Sequence, residues 1–512
     1  MSFNLAAILR DSARRAPEHP AVIAADTTLT YAALDAASDS VAAALVAAGL
    51  RAGDAVLLQL PNIPEFVMSL HGILKAGGVI IPTNTLYKAG ELSWVMENAA
   101  VRFVITVAES AGEAAIALQG NGGGAMWIVG EAPAEAVAQP AVTVRPFAEL
   151  SAHAVPDPAP FVQRDPGDTA ILLYTSGTTG KPKGVQLTHF QLYMNAGAHI
   201  DAFEMGPDSR IIAVMPLFHA LGLSGILNAT IRAGGTVLLM SKFDTEAVLA
   251  TIQKHGATHI HGVPTMYHSL LHFPGLDAYD TSSLAFCGSA GAAIAAEIID
   301  KVEQTFGVQI LEMYGLTESG PVATINMPRD RRPYSIGKAI PGTEIEIWDE
   351  KKKRLPRGRD HIGEIMIRGH NTMSGYLNNP EASVAAFTDG WLHTGDLAWM
   401  DEDGFLFFAD RKKELIIRGG YNVYPREVEE VLYQHPAVSE VAVVGVPDER
   451  LGEEIKAYIT LKAGQSAQPQ EFIGFVKERL AAYKYPRLVE IIDALPKSPT
   501  GKILKKELVG RE

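Results

Sequence analysis

Cysteine is almost missing from this 512-residue chain: Cys287 stands alone, which excludes an internal disulfide and fits a reducing compartment. Long apolar runs are missing as well. No stretch approaches the roughly 18 residues of a membrane span. The N-terminal "MSFNLAAILRDSARR" holds only "LAAIL" before Arg10, too short for a secretory signal. There is no basic surplus either: 44 Lys and Arg against 58 Asp and Glu give a net charge of −14, and no basic run exceeds "KKKR" at Lys351–Arg354. A chain-wide nucleic-acid footprint is therefore not expected. The C-terminal "VGRE" matches no lipidation or peroxisomal signal. The expectation is a cytoplasmic protein with no nucleic-acid partner and no transmembrane segment.

The composition is that of a globular protein, and the length exceeds one hydrophobic core, so two or more domains are expected. From Ala21 to about Gly369, β-branched runs alternate with Ala-rich stretches. "DAVLLQLP", "GGVIIPTN", "VRFVITVA" and "TAILLYTS" read as buried strands bounded by Gly, Pro, Asn or Asp. "YAALDAASDSVAAALVAAG" reads as a helix ending at Gly49. Such alternation predicts α/β layers with largely parallel sheets. Beyond Asp401 the texture changes to hairpin, Gly-Gly turn, helix and strand, and "QEFIGFVKERLAAYK" predicts a further helix. That reads as a small α+β domain of roughly 100 residues. The boundary is placed in the charged turn "DRKKE", giving domains 1–411 and 412–512.

Three segments invite chemistry. "YTSGTTGKPKG" at Tyr174–Gly184 follows a strand, and its small residues allow successive N–H groups to converge on one anion while four hydroxyls add donors. It is not a Walker A loop: Gly177 and Gly180 are too close, and Pro182 stands where that loop needs a magnesium-ligating Ser or Thr. "GNGGGA" from Gly120 formally matches G-x-G-x-x-A, but it follows a helical stretch and precedes a strand, the reverse of a dinucleotide site, so a surface loop is expected. His259, His261, His268 and His272 could ligate zinc. "HSLLH" lacks the Glu of a zincin motif, however, and surface or core histidines are the preferred reading.

The opening loop resembles the phosphate-binding signature of the adenylate-forming enzymes: acyl-CoA synthetases, luciferases and peptide-synthetase adenylation domains. Further matches follow in that family's order: "MPLFHALG" (Met215–Gly222), "CGSAG" (Cys287–Gly291), "EMYGLTESGPV" (Glu312–Val322), "GWLHTGDL" (Gly390–Leu397), "DRKKELIIRGGYNVYPREVE" (Asp410–Glu429) and "PKSPTGKILKKEL" (Pro496–Leu508). "HGVPTMYHSLL" also resembles a strand–helix element of fatty acyl-CoA synthetases. The resemblance implies a large AMP-binding domain with a small mobile one and a hinge at Lys413. It implies ATP, Mg2+ and CoA as cofactor and co-substrates, with a homodimer left open. It further implies that Thr175, Ser176, Gly177, Thr178, Thr179, Gly180 and Lys183 hold phosphates. Gly288, Ser289, Ala290, Glu312, Met313, Tyr314 and Gly315 would surround the nucleotide, Tyr314 stacking on adenine. Thr317 would meet the α-phosphate, Glu318 the magnesium, and Asp396 with Arg411 the ribose. Lys502 would bridge the attacking carboxylate and the α-phosphate, while Lys497, Lys505 and Lys506 would serve only solubility. His219 would join the catalytic set. After a rotation of the small domain, Arg418, Gly419 and Gly420 would line the pantetheine path and Asn422 would reach the adenylate.

The acid is read from His219, Leu221, Gly288, Gly315, Pro321 and Val322. No carboxylate follows the "PLFHALG" motif for an amino-acid ammonium, and Leu221 cannot meet a ring hydroxyl as a Tyr does in 4-coumarate ligases. Met313 replaces the Arg of malonyl-type synthetases, so a second carboxylate would be buried unpaired. Gly315 leaves the pocket floor open. A medium- or long-chain fatty acid is expected, with an aryl acid second. Outside the class stand a luciferase-like oxidoreductase and a non-catalytic ATP- or acyl-binding sensor.

Overall fold

The structure, a computed structural model, describes residues 2–175, 181–499 and 501–509. The predicted strands "DAVLLQLP", "GGVIIPTN", "VRFVITVA" and "TAILLYTS" appear as Ala55–Gln59, Val79–Pro82, Phe103–Val107 and Thr169–Thr175. They belong to one seven-stranded sheet, parallel except for its edge strand Lys183–Thr188. Their side chains are buried on both faces, which is why they read as unbroken apolar runs. A nine-stranded sheet has a parallel centre formed by Pro20–Ala24, Thr236–Leu239, Arg210–Ala213, His259–Gly262, Phe286–Ser289 and Gln309–Tyr314.

One continuous core joins the two sheets. It holds Val22, Ile211 and Val237 of the larger sheet, Val56, Ile80 and Ile171 of the smaller, and Leu34, Val41, Phe66 and Leu70 from helices Tyr31–Ala47 and Pro64–Lys75. Local signals set the helix ends. Thr30 accepts from Ala33 N at the start of the first helix, and Asp244 caps Thr245–His255, which stops at Gly256 with φ +59. "GNGGG" forms a turn between helix Ala108–Gly120 and strand Gly124–Val129.

After strand Gln309–Tyr314 the expectation of parallel pairing gives way, first in the short strands Thr324–Ile325 and Lys338–Ala339. Thr343–Trp348, Gly363–Gly369, Trp391–Met400, Phe387–Thr388 and Leu406–Arg411 form an antiparallel sheet, in which the turns at residues 389–390 and 401–405 reverse the chain between neighbouring strands, as antiparallel pairing allows. Residues 412–415 then lead into the last sheet, which holds Tyr421–Val423, Ile416–Arg418, Gly452–Leu461, Val438–Asp448 and Leu488–Ile491. It has its own core of Ile416, Val441, Ile455, Val428, Leu432 and Phe472, the last three from helices Pro425–Tyr433 and Pro469–Lys477. The second of these helices is shorter than the predicted stretch. Among the described residues, no helix is long and apolar enough to cross a membrane.

Candidate active site

Strands His259–Gly262, Phe286–Ser289 and Gln309–Tyr314 run parallel, and a cleft opens at their carboxyl ends, where open α/β sheets bind ligands. Ser289, Glu312, Met313, Tyr314 and Gly315 line it from these strands. Asp396 and Arg411 enter from the antiparallel sheet and Lys502 from the C-terminal unit.

Asp396 and Arg411 are register partners on adjacent strands, with Arg411 Nε 3.7 Å from Asp396 Oδ1. The Tyr314 hydroxyl donates to Asp396 Oδ2 at 2.8 Å, and its ring lies 6.3 Å from that of Phe408. Burial raises the Asp396 carboxyl and Arg411 pulls it back. Deeper in the cleft, Glu312 is 4% exposed and its Oε1 has no hydrogen-bond partner among the described residues; neither has Ser289 Oγ. Burial pushes Glu312 up to about 8, opposed first by Arg426 of the C-terminal unit and then by Arg331. Buried polar atoms left open along a cleft are what a polar heterocycle or ribose would complete.

Thr317–Ser319 forms a single 3-10 turn, and Met373 N donates to Glu318 O at 2.8 Å. The Tyr376 hydroxyl donates to Glu318 Oε1 at 2.9 Å. Tyr376 is set beside strand Lys183–Thr188 by Leu377 N donating to Gly184 O at 2.8 Å, and Lys183 Nζ lies 5.0 Å from its ring centre. Thr175 pairs with Lys183 at the mouth of the signature loop. Lys181 is drawn away onto the Trp94 ring at 4.0 Å, and Trp94 Nε1 donates to Pro182 O at 2.9 Å. Ser176, Gly177, Thr178, Thr179 and Gly180 lie outside the described residues.

Among the described residues, no three His, Cys, Asp or Glu side chains come together around a metal, and His259 is occupied by Phe203 O at 2.8 Å and by Thr258. Glu318 is a single carboxylate. That fits magnesium, which keeps waters and takes one or two carboxylates plus substrate phosphates.

Lys502 follows Gly501, whose φ is +79 and whose carbonyl accepts from Thr265 Oγ1 at 3.1 Å. A Cβ on Gly501 would stand 3.0 Å from that oxygen and 3.1 Å from Val263 Cγ2, so the turn docks closely on the large unit. Burial and then the Arg411 guanidinium lower the Lys502 ammonium to about 8. His219 falls to about 4 through burial and the Lys502 charge, which keeps it neutral. The expectation that the neighbouring lysines serve only solubility needs correction at two positions. Lys505 is paired with Glu429 at 2.7 Å and Glu414 at 3.6 Å, and Lys497 with Glu440 at 2.8 Å.

Some expected residues are elsewhere. Arg418 makes a bidentate pair with Glu454 (2.6 and 2.7 Å), and Gly419 and Gly420, with φ +58 and +83, form an exposed hairpin turn. They and the exposed Asn422 lie outside the cleft, and Lys413 sits in the turn joining the last two sheets. Of the expected acyl-pocket set only Gly315 lines the cleft; His219, Leu221, Gly288, Pro321 and Val322 do not. Ala290, Thr317 and Glu318 also stand off its lining. Gly315 is also not an open floor, because a Cβ there would lie 1.9 Å from Pro321 O. Gly288 has a similar constraint: a Cβ would meet Met313 Cε at 2.8 Å and His261 Cδ2 and Phe203 Cζ at 2.9 Å. Tyr376, Arg426, Thr265 and Lys505 escaped sequence reasoning because their partners lie far along the chain; Gly501 alone had a local signal, a glycine beside a marked lysine.

The chain matches the model of the AMP-binding enzyme family over residues 9–377 and that of the AMP-binding enzyme C-terminal domain over residues 427–502. It is 38% identical over 536 residues to a long-chain-fatty-acid–CoA ligase of Bacillus subtilis (strain 168), covering 99% of this chain and 94% of that protein. A feruloyl-CoA synthase of Amycolatopsis sp is 35% identical over 499 residues, covering 97% and 96%. The crystal structure of the anthranilate CoA ligase AuaEII in complex with anthranoyl-AMP superposes with a TM-score of 0.90 at 30% identity, covering 99% and 96%.

Proposed function

The chain belongs to the AMP-binding enzyme family, and from that premise we propose how its cleft performs the AMP-forming ligation of a carboxylic acid to CoA. An acid oxygen attacks the α-phosphorus of ATP, the bond to pyrophosphate breaks, and an acyl-adenylate results. The CoA thiolate then attacks the acyl carbon and AMP leaves. The observation that carries this reading is Lys502 in the cleft beside Asp396 and Arg411, a cation where negative charge must gather.

In this assignment Tyr314 faces adenine, Asp396 and Arg411 take the ribose, and Ser289 and Glu312 complete the base site. Thr175, the glycine-rich loop and Lys183 grip the departing phosphates, and Thr317 meets the α-phosphate. Glu318, oriented by Tyr376, would hold magnesium, which neutralises triphosphate charge when bound. His219, neutral, borders the acid carboxylate, and Leu221, Gly288, Pro321 and Val322 back the acyl subsite. The unit from residue 412 turns about Lys413 after adenylation, bringing Arg418, Gly419, Gly420 and Asn422 to the site. The present exposure of Gly419, Gly420 and Asn422 while Lys502 is inserted supports two alternating positions.

A medium- or long-chain fatty acid is the preferred substrate, supported by the Bacillus relative and by the buried Leu221 and Val322. An aryl acid is the second reading, favoured by the feruloyl and anthranilate enzymes. AMP formation measured with and without CoA across fatty and aryl acids tests both. CoA-dependent AMP with aliphatic acids is expected. Adenylate accumulating irrespective of CoA, or no turnover, would overturn the ligase reading, and strong preference for a hydroxylated aromatic acid would overturn the fatty-acid one.

A further inference from the structure

Behind the cleft, next to Gly288 and Met313, lies a cluster of polar side chains that adenylation does not use. His199, Ser224, Asn228 and His261 all have 0% exposure. His199 Nε2, Ser224 Oγ, both ends of the Asn228 amide and both ring nitrogens of His261 lack a hydrogen-bond partner among the described residues. The two histidines neighbour one another, and the helix that carries Ser224 and Asn228 packs against His199. The His199 and His261 rings stack at 6.4 Å, and His261 lies 4.2 Å from the Phe203 ring. A Cβ on Gly225 would come within 2.3 Å of His199 Nε2, and Gly225 shares with Ser224 and Asn228 the π-helix Leu221–Asn228, which starts two residues after His219.

So many open donors and acceptors in one core region cost stability unless something completes them. The set is mixed and neutral. His199 Nδ1 is engaged by Asn195 O at 3.0 Å, which leaves Nε2 as an acceptor in the neutral ring. His261 and Asn228 each offer a donor and an acceptor. Burial holds both histidines below their ordinary range, His199 at about 4, so neither supplies a charge. These four side chains offer no cation to a second carboxylate or a sulfonate, whereas an oxo or hydroxyl group would find both bonding senses.

Resting on the ligase reading above, we propose that this cluster is the distal end of the acyl subsite and selects an acid whose otherwise apolar chain carries one uncharged oxygen function remote from the carboxylate. Met313, which lines the cleft, and Gly288 stand between the cleft and the cluster: Met313 Cε and His261 Cδ2 both pack where a side chain at Gly288 would lie, so the acid chain enters by displacing the flexible methionine.

The test compares decanoic acid with its oxo and hydroxy derivatives substituted beyond the middle of the chain, in CoA-dependent AMP formation by the whole enzyme, and in His261→Leu and Asn228→Leu. The oxygenated acids should be favoured in kcat/KM by roughly 10- to 100-fold, and each variant should erase that preference while still turning over decanoate. Both variants should melt at the same or a higher temperature, because an apolar side chain replaces an unsatisfied one. Equal or better use of decanoate by the unaltered enzyme, or a preference that survives both substitutions, would overturn the proposal. Failure of every acid to turn over would count against the ligase reading instead, and calorimetric titration of the same acids would still decide the subsite: equal affinity for the pairs overturns it.

Discussion

The hydroxyl of Tyr376 donates 2.9 Å to Glu318 Oε1, tying the carboxylate assigned to magnesium to a segment that also carries Lys183 on its ring face. A hydrogen bond to a charged group contributes about 1.5–3 kcal/mol. Tyr376→Phe should therefore slow adenylation by roughly 10- to 100-fold and raise the magnesium concentration needed for half-maximal rate. Magnesium titrations of pyrophosphate release check this, and an unshifted requirement would detach Tyr376 from Glu318's role.

Burial holds Glu312 neutral up to about pH 8, against the pull of Arg426 and then Arg331. Its carboxyl is protonated below that value in the closed cleft, so Glu312→Gln mimics the resident form. Glu312→Gln should keep kcat/KM for ATP within about threefold at neutral pH, whereas Glu312→Ala should lose about tenfold or more by leaving the base without a partner. Equal losses in the two variants would mean that the charged form is the one used.

Lys502 is a cation below its lowered value of about 8 and loses its charge as pH rises through it. Burial is the main cause and Arg411 the second. For the free enzyme, kcat/KM of adenylation should thus fall on the alkaline side with a midpoint near that value. The thioester-forming step, started from supplied acyl-adenylate, should lack this limb. The same limb in both steps would assign it to another group.

Gly501 combines a φ of +79 with a would-be Cβ 3.0 Å from Thr265 Oγ1. Gly501→Ala should hinder seating of the Lys502 turn and slow adenylation by roughly tenfold, since the φ alone costs about 1–2 kcal/mol. The thioester step should change little. Comparing the two rates in rapid-quench experiments checks it.

Much of the fold was legible because burial on both faces writes strands such as Ala55–Gln59 as continuous apolar runs. The antiparallel sheet was less so. Asp396 follows a Thr-Gly pair, yet it sits in strand Trp391–Met400, just after Gly395 with φ +71, and its register partner on the next strand is Arg411. Glu318 and Lys502 were visible through their motifs. Tyr376 was not, since its partner lies 58 residues away and nothing local marks it. Lys505 was misread because neighbouring lysines look alike in sequence, and only folding places this one against Glu429. Gly315 suggested an open pocket, but its reason is the Pro321 carbonyl.

The central claim is that Lys502 serves the first half-reaction and is withdrawn for the second. The most direct measurement is Lys502→Ala assayed in both halves: pyrophosphate release from ATP and acid, and thioester formation from supplied acyl-adenylate and CoA. Pyrophosphate release should fall by about 100- to 1,000-fold, as for loss of one charge-stabilising donor, with thioester formation near the unaltered rate. Adenylation at the unaltered rate, or equal loss in both halves, would contradict the account.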